Sequence, residues 1–599
     1  MDRKDLPLLV AIGLHAPITF AQNYAELDIN DVRARFHSHG LISEDLQNNG
    51  PVFEVPAGDG AHTLYSAGLW IGGITSDSQL RIAAQMYEAL GAGDFYPGPL
   101  TIDGSASITP EVSQQYDQVW SVLRSDIDQH LAWIACLSDP NCDIEAEFPN
   151  GYIMPASFLN WPALGDVEAG QDLYLAPFID FDGDGNYDPF SGDYPCVPGD
   201  QALYAIFNDA AGPHVLTGSP PIGLEIHMMP FAYHTGDPAI DQTVFVHYRI
   251  INRGTLTLTG TRIGMFQDFD IGCANDDYVG TDAKRNLTYG LNSDNFDEDC
   301  LGSAGYGEKP PTFGSVILKG PLMDADATDN LQQNTIPAWN GTGFGDGPID
   351  NERGGLAYSH HFYREGDPAV LDPYTGIDFY NALSGIWKDN IPQSYGGTGY
   401  SVDPNAVPAR FVFPGDSDPL GVGTGGVVLP PWTEESAGNT AYDPRIVSAM
   451  APFTLEPGMV QEILMAFIYA RSPLGEPHSS VDALRSRADS VRAFAANIPG
   501  IMAPGSLCDQ LPTGVLEVIA EPTPLELFPV PATDRIIVRT GDLKAGTYVR
   551  IIDGRGALVM QLGAAGAVTG FDISALPAGL YTVSAADGNA IRIGRFVKE

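Results

Sequence analysis

Residues 221–254 read "PIGLEIHMMPFAYHTGDPAIDQTVFVHYRIINRG". Two runs, 221–235 and 242–254, alternate or stay apolar and are rich in β-branched and aromatic residues, the composition of a strand that packs on at least one face. The same character precedes them in "QALYAIFND" (201–209) and follows in "LTLTGTRIGMFQDFDIG" (256–272) and "FTLEPGMVQEILMAFIYARS" (453–472). Upstream, "TLYSAGLWIGGI" (63–74) and "QLRIAAQMY" (79–87) read as two strands around a Ser/Asp turn. Residues 301–439 are loop-heavy. The stretch predicts a mainly β fold: a large β-sandwich-like N-terminal module with a few helices.

Two helices interrupt this pattern. "TPEVSQQYDQVWSVLRSDIDQHLAWIA" (109–135) offers Thr109 as cap, Pro110 for the first turn and Glu111 for the helix dipole. Val112, Tyr116, Val119, Leu123, Ile127 and Ile134 fall near one stripe, which predicts a continuous helix lying on a sheet. A second helix is expected over 479–497. Residues 498–524 carry five prolines without lasting periodicity and read as a linker. A compact piece of short strands, 525–599, follows; its size suits a small immunoglobulin-like β-sandwich.

Bulk composition agrees. The 599 residues exceed one core, and 67 Gly with 47 Pro favour a turn-rich β protein. Acidic residues outnumber basic ones 76 to 30, for a net charge of −46. Nucleic acid and anionic membranes are thereby poor partners, and cations are the natural counter-species. Residues 1–21 resemble a secretory signal peptide: Arg3 and Lys4 precede an apolar run from Leu6 to Phe20, with small Thr19 and Ala21 framing a cut before Gln22. No later stretch is apolar enough to span a bilayer. The six cysteines suit an oxidising destination. Cys136 and Cys142 can close a small loop and Cys273 and Cys300 can clamp an acidic segment, leaving Cys196 and Cys508 as a pair or as free thiols.

Two acidic segments carry the chemistry. "FIDFDGDGNYDPFSGDYP" (178–195) sets Asp180, Asp182 and Asp184 at alternate positions, then Gly185, Asn186 and Asp188. These are the first nine positions of an EF-hand-type calcium loop, in which alternating carboxylates curl inward to meet an ion that wants six to eight oxygens. Ser191 stands where the closing Glu belongs, and Asp193 is the expected replacement. The alternative is a solvated Asx-turn. In "DFDIGCANDDYVGTDAKRNLTYGLNSDNFDEDC" (268–300), Asp268 and Asp270 alternate at a strand end, followed by Asp276, Asp277 and Asp282. So many carboxylates repel one another unless a cation sits among them. The alternative is a solvated acidic loop.

Enzyme signatures are sparse. There is no H-E-x-x-H and no G-x-S-x-G. A glycosidase needs only two carboxylates, and 76 acids always offer a pair. His227, His234, His360 and His361 read as core or surface groups, and Trp70, Trp120, Trp133 and Trp161 as core aromatics.

The C-terminal piece resembles the sorting domain of cargo exported by the bacterial type IX secretion system. The likeness rests on four blocks in order: "LFPVPATDRIIV" (527–538), "VRIIDGRGALV" (549–559), "FDISALPAGLYTV" (571–583) and "RIGRFVKE" (592–599). Val530 departs from the family's usual Asn. The resemblance implies a Bacteroidota-type source, passage across an outer membrane, handling by the type IX machinery and its sortase, and loss of this domain during anchoring or release. The main body is similar to large secreted proteins of such bacteria in "LWIGG", "DPFSGDYP", "GLEIH" and "DDYVGTDAKRNLTYGLNSDN". The combined expectation is a secreted or surface-anchored, calcium-stabilised structural or adhesive protein, with cell-surface polysaccharide as a partner class. The alternative is a secreted polysaccharide hydrolase using a carboxylate pair.

Overall fold

The computed structural model describes residues 24–88, 93–300, 302–331, 341–363, 366–474, 477–508, 523–539, 548–553, 558–563, 568–586 and 591–599. The expected leader, 1–21, lies outside them. Two compact units result, Met1–Leu511 and Pro512–Glu599.

Two large antiparallel sheets build the first unit. A nine-stranded sheet runs, in spatial order, Asp277–Asp282, Leu287–Asn292, Thr312–Lys319, Val460–Ala470, Thr243–Asn252, Leu224–Ala232, Gln201–Asn208 and Tyr96–Pro97, with Trp120–Leu123 also on Gln201–Asn208. A six-stranded sheet runs Leu356–Tyr363, Pro444–Met450, Leu258–Asp268, Ser66–Thr75 and Leu80–Ala84, with Phe453–Leu455 added against Leu258–Asp268. Their inner faces share one core: Leu69, Ile71, Ile263 and Met265 from the smaller sheet meet Leu203, Ile226, Val244 and Ile463 from the larger.

Strands buried on both faces explain why the opening stretch reads as continuous apolar runs. Alternate residues take opposite faces. Leu464, Ala466 and Ile468 therefore pack outward beneath the helix Pro477–Ala495, with Leu484, Ala488 and Val491, while Tyr204 faces outward against Trp161. Trp70 and Phe266 pack outward under the short helix Gly376–Ala382 through Phe379 and Leu383. Trp70 is fully buried, and truncating such a residue to alanine costs about 3–5 kcal/mol.

The tract 109–135 is not one helix. Thr109 caps a short helix, Pro110–Gln115, by accepting the N–H of Val112. Trp120–Leu123 then pairs as a strand with Gln201–Tyr204, and a new helix covers Arg124–Ser138. The reason is tertiary: Trp120 and Val122 drop into the outer core, and an edge strand offers their backbone a ladder. Residues 498–508, assigned by their prolines to a linker, pack on the first unit, with Ile498 and Ile501 buried in its outer core.

All three cysteine pairs form: Cys136–Cys142, Cys273–Cys300 and Cys196–Cys508. No helix among the described residues is long and apolar enough to cross a membrane. The second unit is a sandwich of a five-stranded and a three-stranded sheet. Ile536, Val538, Ile551, Phe571, Val583 and Phe596 fill its core.

Candidate metal centres

The first acidic loop is the tip of a hairpin whose stem pairs Phe178 with Pro195 and Ile179 with Tyr194. Asp180 folds the chain over itself, accepting the N–H groups of Gly183 (2.7 Å), Asp184 (3.1 Å) and Gly185 (2.9 Å). Gly183 and Gly185 take φ of +74° and +84°, a backbone region closed to most side chains, so the glycines are required by the turn itself. One oxygen each from Asp180, Asp182 and Asp184 lies within 4.8 Å of the others. Asp184 accepts both the backbone N–H (2.7 Å) and side-chain N–H (3.1 Å) of Asn186, which holds its carboxyl below the usual range.

Asp188 caps the short turn Pro189–Ser191 and accepts the Ser191 hydroxyl at 3.1 Å. Asp193 is buried beneath the loop. Its two oxygens take the N–H groups of Phe181 and Asp188, each at 2.7 Å. It closes the loop through the backbone, and burial beside Asp180 and Asp182 pushes its carboxyl up. Tyr187 anchors the loop by donating to the Phe158 carbonyl at 2.9 Å.

The second acidic segment divides. Asp268 ends its strand directly opposite Arg445 of the neighbouring strand. Two residues away along each chain, Asp270 and Asp443 reach the same place, and one oxygen each from Asp268, Asp270 and Asp443 lies within 4.8 Å of the others. Tyr87 donates to Asp268 Oδ2 at 2.6 Å and receives Arg445 Nε at 2.8 Å. Arg445 also stands 3.4 Å from Asp268 Oδ1 and 3.2 Å from Asp443 Oδ2. Burial pushes Asp268 up to about 7, against the pull of Arg445 and with the help of Asp443.

This group forms part of the wall of a cleft of about 720 Å³. Tyr65, Glu44 and the Cys300 end of the Cys273–Cys300 disulfide line it as well. The disulfide thus brackets the acidic segment, as its spacing suggested.

Asp276, Asp277 and Asp282 fall outside this triad. Asp276 accepts Asn292 Nδ2 at 2.8 Å and is pushed up to about 6 by burial. Asp277 is buried, accepts the Ile271 N–H at 2.8 Å, and is likewise raised by burial. Asp282 is engaged by Arg285 and Arg485, each at 3.0 Å, so its charge is already matched.

Asp443, Arg445 and Tyr87 are the residues that sequence reasoning missed. The signal is faint but real: a D-x-D at one strand end and a D-x-R at another share a face only if the two strands pair. Of His227, His234, His360 and His361, three are core groups and His234 lies exposed beside Asp241. His227 contacts Tyr204 and Glu225, and His360 and His361 are buried around Trp387.

Residues 526–599 match the family described as the secretion system C-terminal sorting domain. The chain is therefore a cargo of type IX secretion, delivered to the cell surface or beyond it. No curated protein matches it. Among solved structures, a polysaccharide lyase aligns at 7% identity over 62% of this chain and 34% of the lyase, with a TM-score of 0.18. The chain thus spans about a third of that lyase's length. PorZ, an essential bacterial surface component of the type IX secretion system of Porphyromonas gingivalis, aligns at 9% identity over 96% of this chain and 75% of PorZ, with a TM-score of 0.12.

Proposed function

We propose that this cargo is a calcium-stabilised extracellular module with a structural or adhesive role, and that its sorting domain is handled by the type IX machinery and its sortase. The observation that carries the reading is the 180–193 loop. Three carboxylates converge to within 4.8 Å on a backbone already curled by Asp180 and braced from below by Asp193. Calcium binds such oxygen-rich loops at about 10⁻⁴–10⁻³ M in extracellular modules. Adhesion to a cell-surface polysaccharide is the partner class that suits an exported, strongly acidic β module with an open cleft. The test is a melting curve with and without calcium, for the parent chain and for Asp182→Ala with Asp184→Ala. A melting temperature indifferent to EDTA sinks the proposal.

A secreted hydrolase is the second reading, favoured by the raised Asp268 in a cleft. Its support is weaker. Glycosidases set their two carboxyl groups about 5–9.5 Å apart on either side of a bond. Here the three acids crowd together, and Asp268 is already held by Tyr87 and Arg445. Release of reducing ends from polysaccharide, lost in Asp268→Asn, would reverse the ranking.

A further inference from the structure

We infer that Asp268, Asp270 and Asp443 form a second divalent-cation site whose ion stands in the wall of the cleft and completes its coordination with a neutral, hydroxyl-rich saccharide. This inference rests on the adhesive reading and gives it a ligand class and a place.

Three observations carry it. The first is an orphaned atom. Asp268 is 3% exposed and lines the cleft, yet its Oδ1 accepts no hydrogen bond; Arg445 Nε, 3.4 Å away, is beyond good bonding range and donates to Tyr87 instead. The guanidinium thus supplies charge to this buried oxygen but no bond, and its coordinating lone pair is left free for a ligand at that point.

The second is charge. Three carboxylates meet one guanidinium, Arg445, the single fixed cation among the described residues lining the cleft. With an ion holding all three acids ionised, the excess is two negative charges, which one divalent ion neutralises. A monovalent ion leaves a buried charge, and a further arginine has no room to enter between oxygens within 4.8 Å of one another.

The third is openness. Calcium takes six to eight oxygens, and three carboxylates leave part of that shell to whatever occupies the cleft. At about 720 Å³ the cleft has room for a small ligand. Glu44 and Asp45 also line it, so an anionic ligand is repelled, whereas paired hydroxyls supply oxygens without charge. Tyr65, half-buried and set edge-on to Tyr87 at 6.0 Å, offers a ring wall of the kind that sugar rings pack against. The 180–193 loop differs: its acids bind their own backbone at a hairpin tip, so an ion there braces the chain.

The experiment uses the full chain. Calcium is titrated calorimetrically into the parent protein, into Asp443→Asn and, as a second cleft variant at a less buried position, Asp270→Asn. The loop variant Asp182→Ala with Asp184→Ala is run beside them. Each protein is then applied to an array of neutral and acidic glycans with calcium and with EDTA. The expected result is loss of one calcium, or a tenfold or greater weakening, in both cleft variants. Neutral-glycan retention that requires calcium should be lost in the cleft variants and kept in the loop variant. Unchanged calcium binding in the two cleft variants overturns the cation site. Retention of acidic glycans alone, no calcium-dependent retention on any neutral glycan, or shortening of the bound glycan overturns the saccharide assignment. A loop variant that binds calcium like the parent, beside cleft variants that do not, refutes the structural-calcium reading and leaves this one standing.

Discussion

Asp268 and Arg445 face each other across two antiparallel strands, 3.4 Å apart, with the Tyr87 hydroxyl bonded to both. Asp443 leans on the same guanidinium. Removing one member of a buried pair strands the other, at a cost of about 3–5 kcal/mol. Arg445→Met should therefore lower stability by that order in EDTA, read from urea unfolding. Calcium should restore more stability to this variant than to the parent, because the ion then replaces the missing charge. Equal calcium responses would show that the guanidinium and the ion do not share a site.

The 180–193 loop gives a graded expectation. A ligand that binds only the folded state at a hundred times its dissociation constant adds about 2.7 kcal/mol. The parent chain should gain stability of this order in saturating calcium. Asp182→Ala with Asp184→Ala should lose most of the part that belongs to the loop. Asp193→Ala should cost stability even in EDTA, because it also strips the Phe181 and Asp188 N–H groups of their acceptor.

Glu434 supplies a pH signature away from both acidic groups. Its carboxylate accepts the Val279 N–H at 2.8 Å and the Tyr363 hydroxyl at 3.1 Å, but burial dominates and pushes it up to about 7 from 4.5. A raised acid binds its proton more tightly in the folded state than in the unfolded one. Its stabilising contribution is therefore full below about 4.5 and lost as pH rises through about 7. At 1.36 kcal/mol per unit this is on the order of 3 kcal/mol. Glu434→Gln should flatten the stability profile between pH 4.5 and 7. A profile unchanged by the substitution would place the titration elsewhere.

The Cys273–Cys300 disulfide closes a 27-residue span around the acidic segment. Cross-links of this length contribute about 3 kcal/mol, largely by restricting the unfolded chain. Cys273→Ser with Cys300→Ser should lower stability by that order. Glycan retention should weaken too, since Cys300 and Ser303 are part of the cleft rim.

How much was legible in the chain varied with the range of the contacts involved. Local chemistry read well: Thr109 caps, the glycines of 183 and 185 turn, and cysteines close in sequence pair. The sorting domain was readable as four ordered blocks. Strand pairing was not. Trp120–Leu123 looked helical because its apolar positions fit a helical stripe as well as an alternating one; only the exposed edge of Gln201–Asn208 decided between them. The cleft escaped for the same reason. Asp268 meets Arg445 through a register set by the whole sheet, and no spacing within either segment announces it.

The Cys196–Cys508 bond has a consequence for the life of the molecule after export. Cys508 lies beyond the helix Pro477–Ala495, near the end of the first unit, and is tied back to a residue 312 positions earlier. A cut made beyond Cys508 thus leaves no loose end inside the fold. The helix stays trapped between the sheet and a covalent stop, and a severed tail has nothing to unravel. If the sorting domain is cut away after export, as the proposed handling by the sortase entails, the body behind it is already closed by this bond.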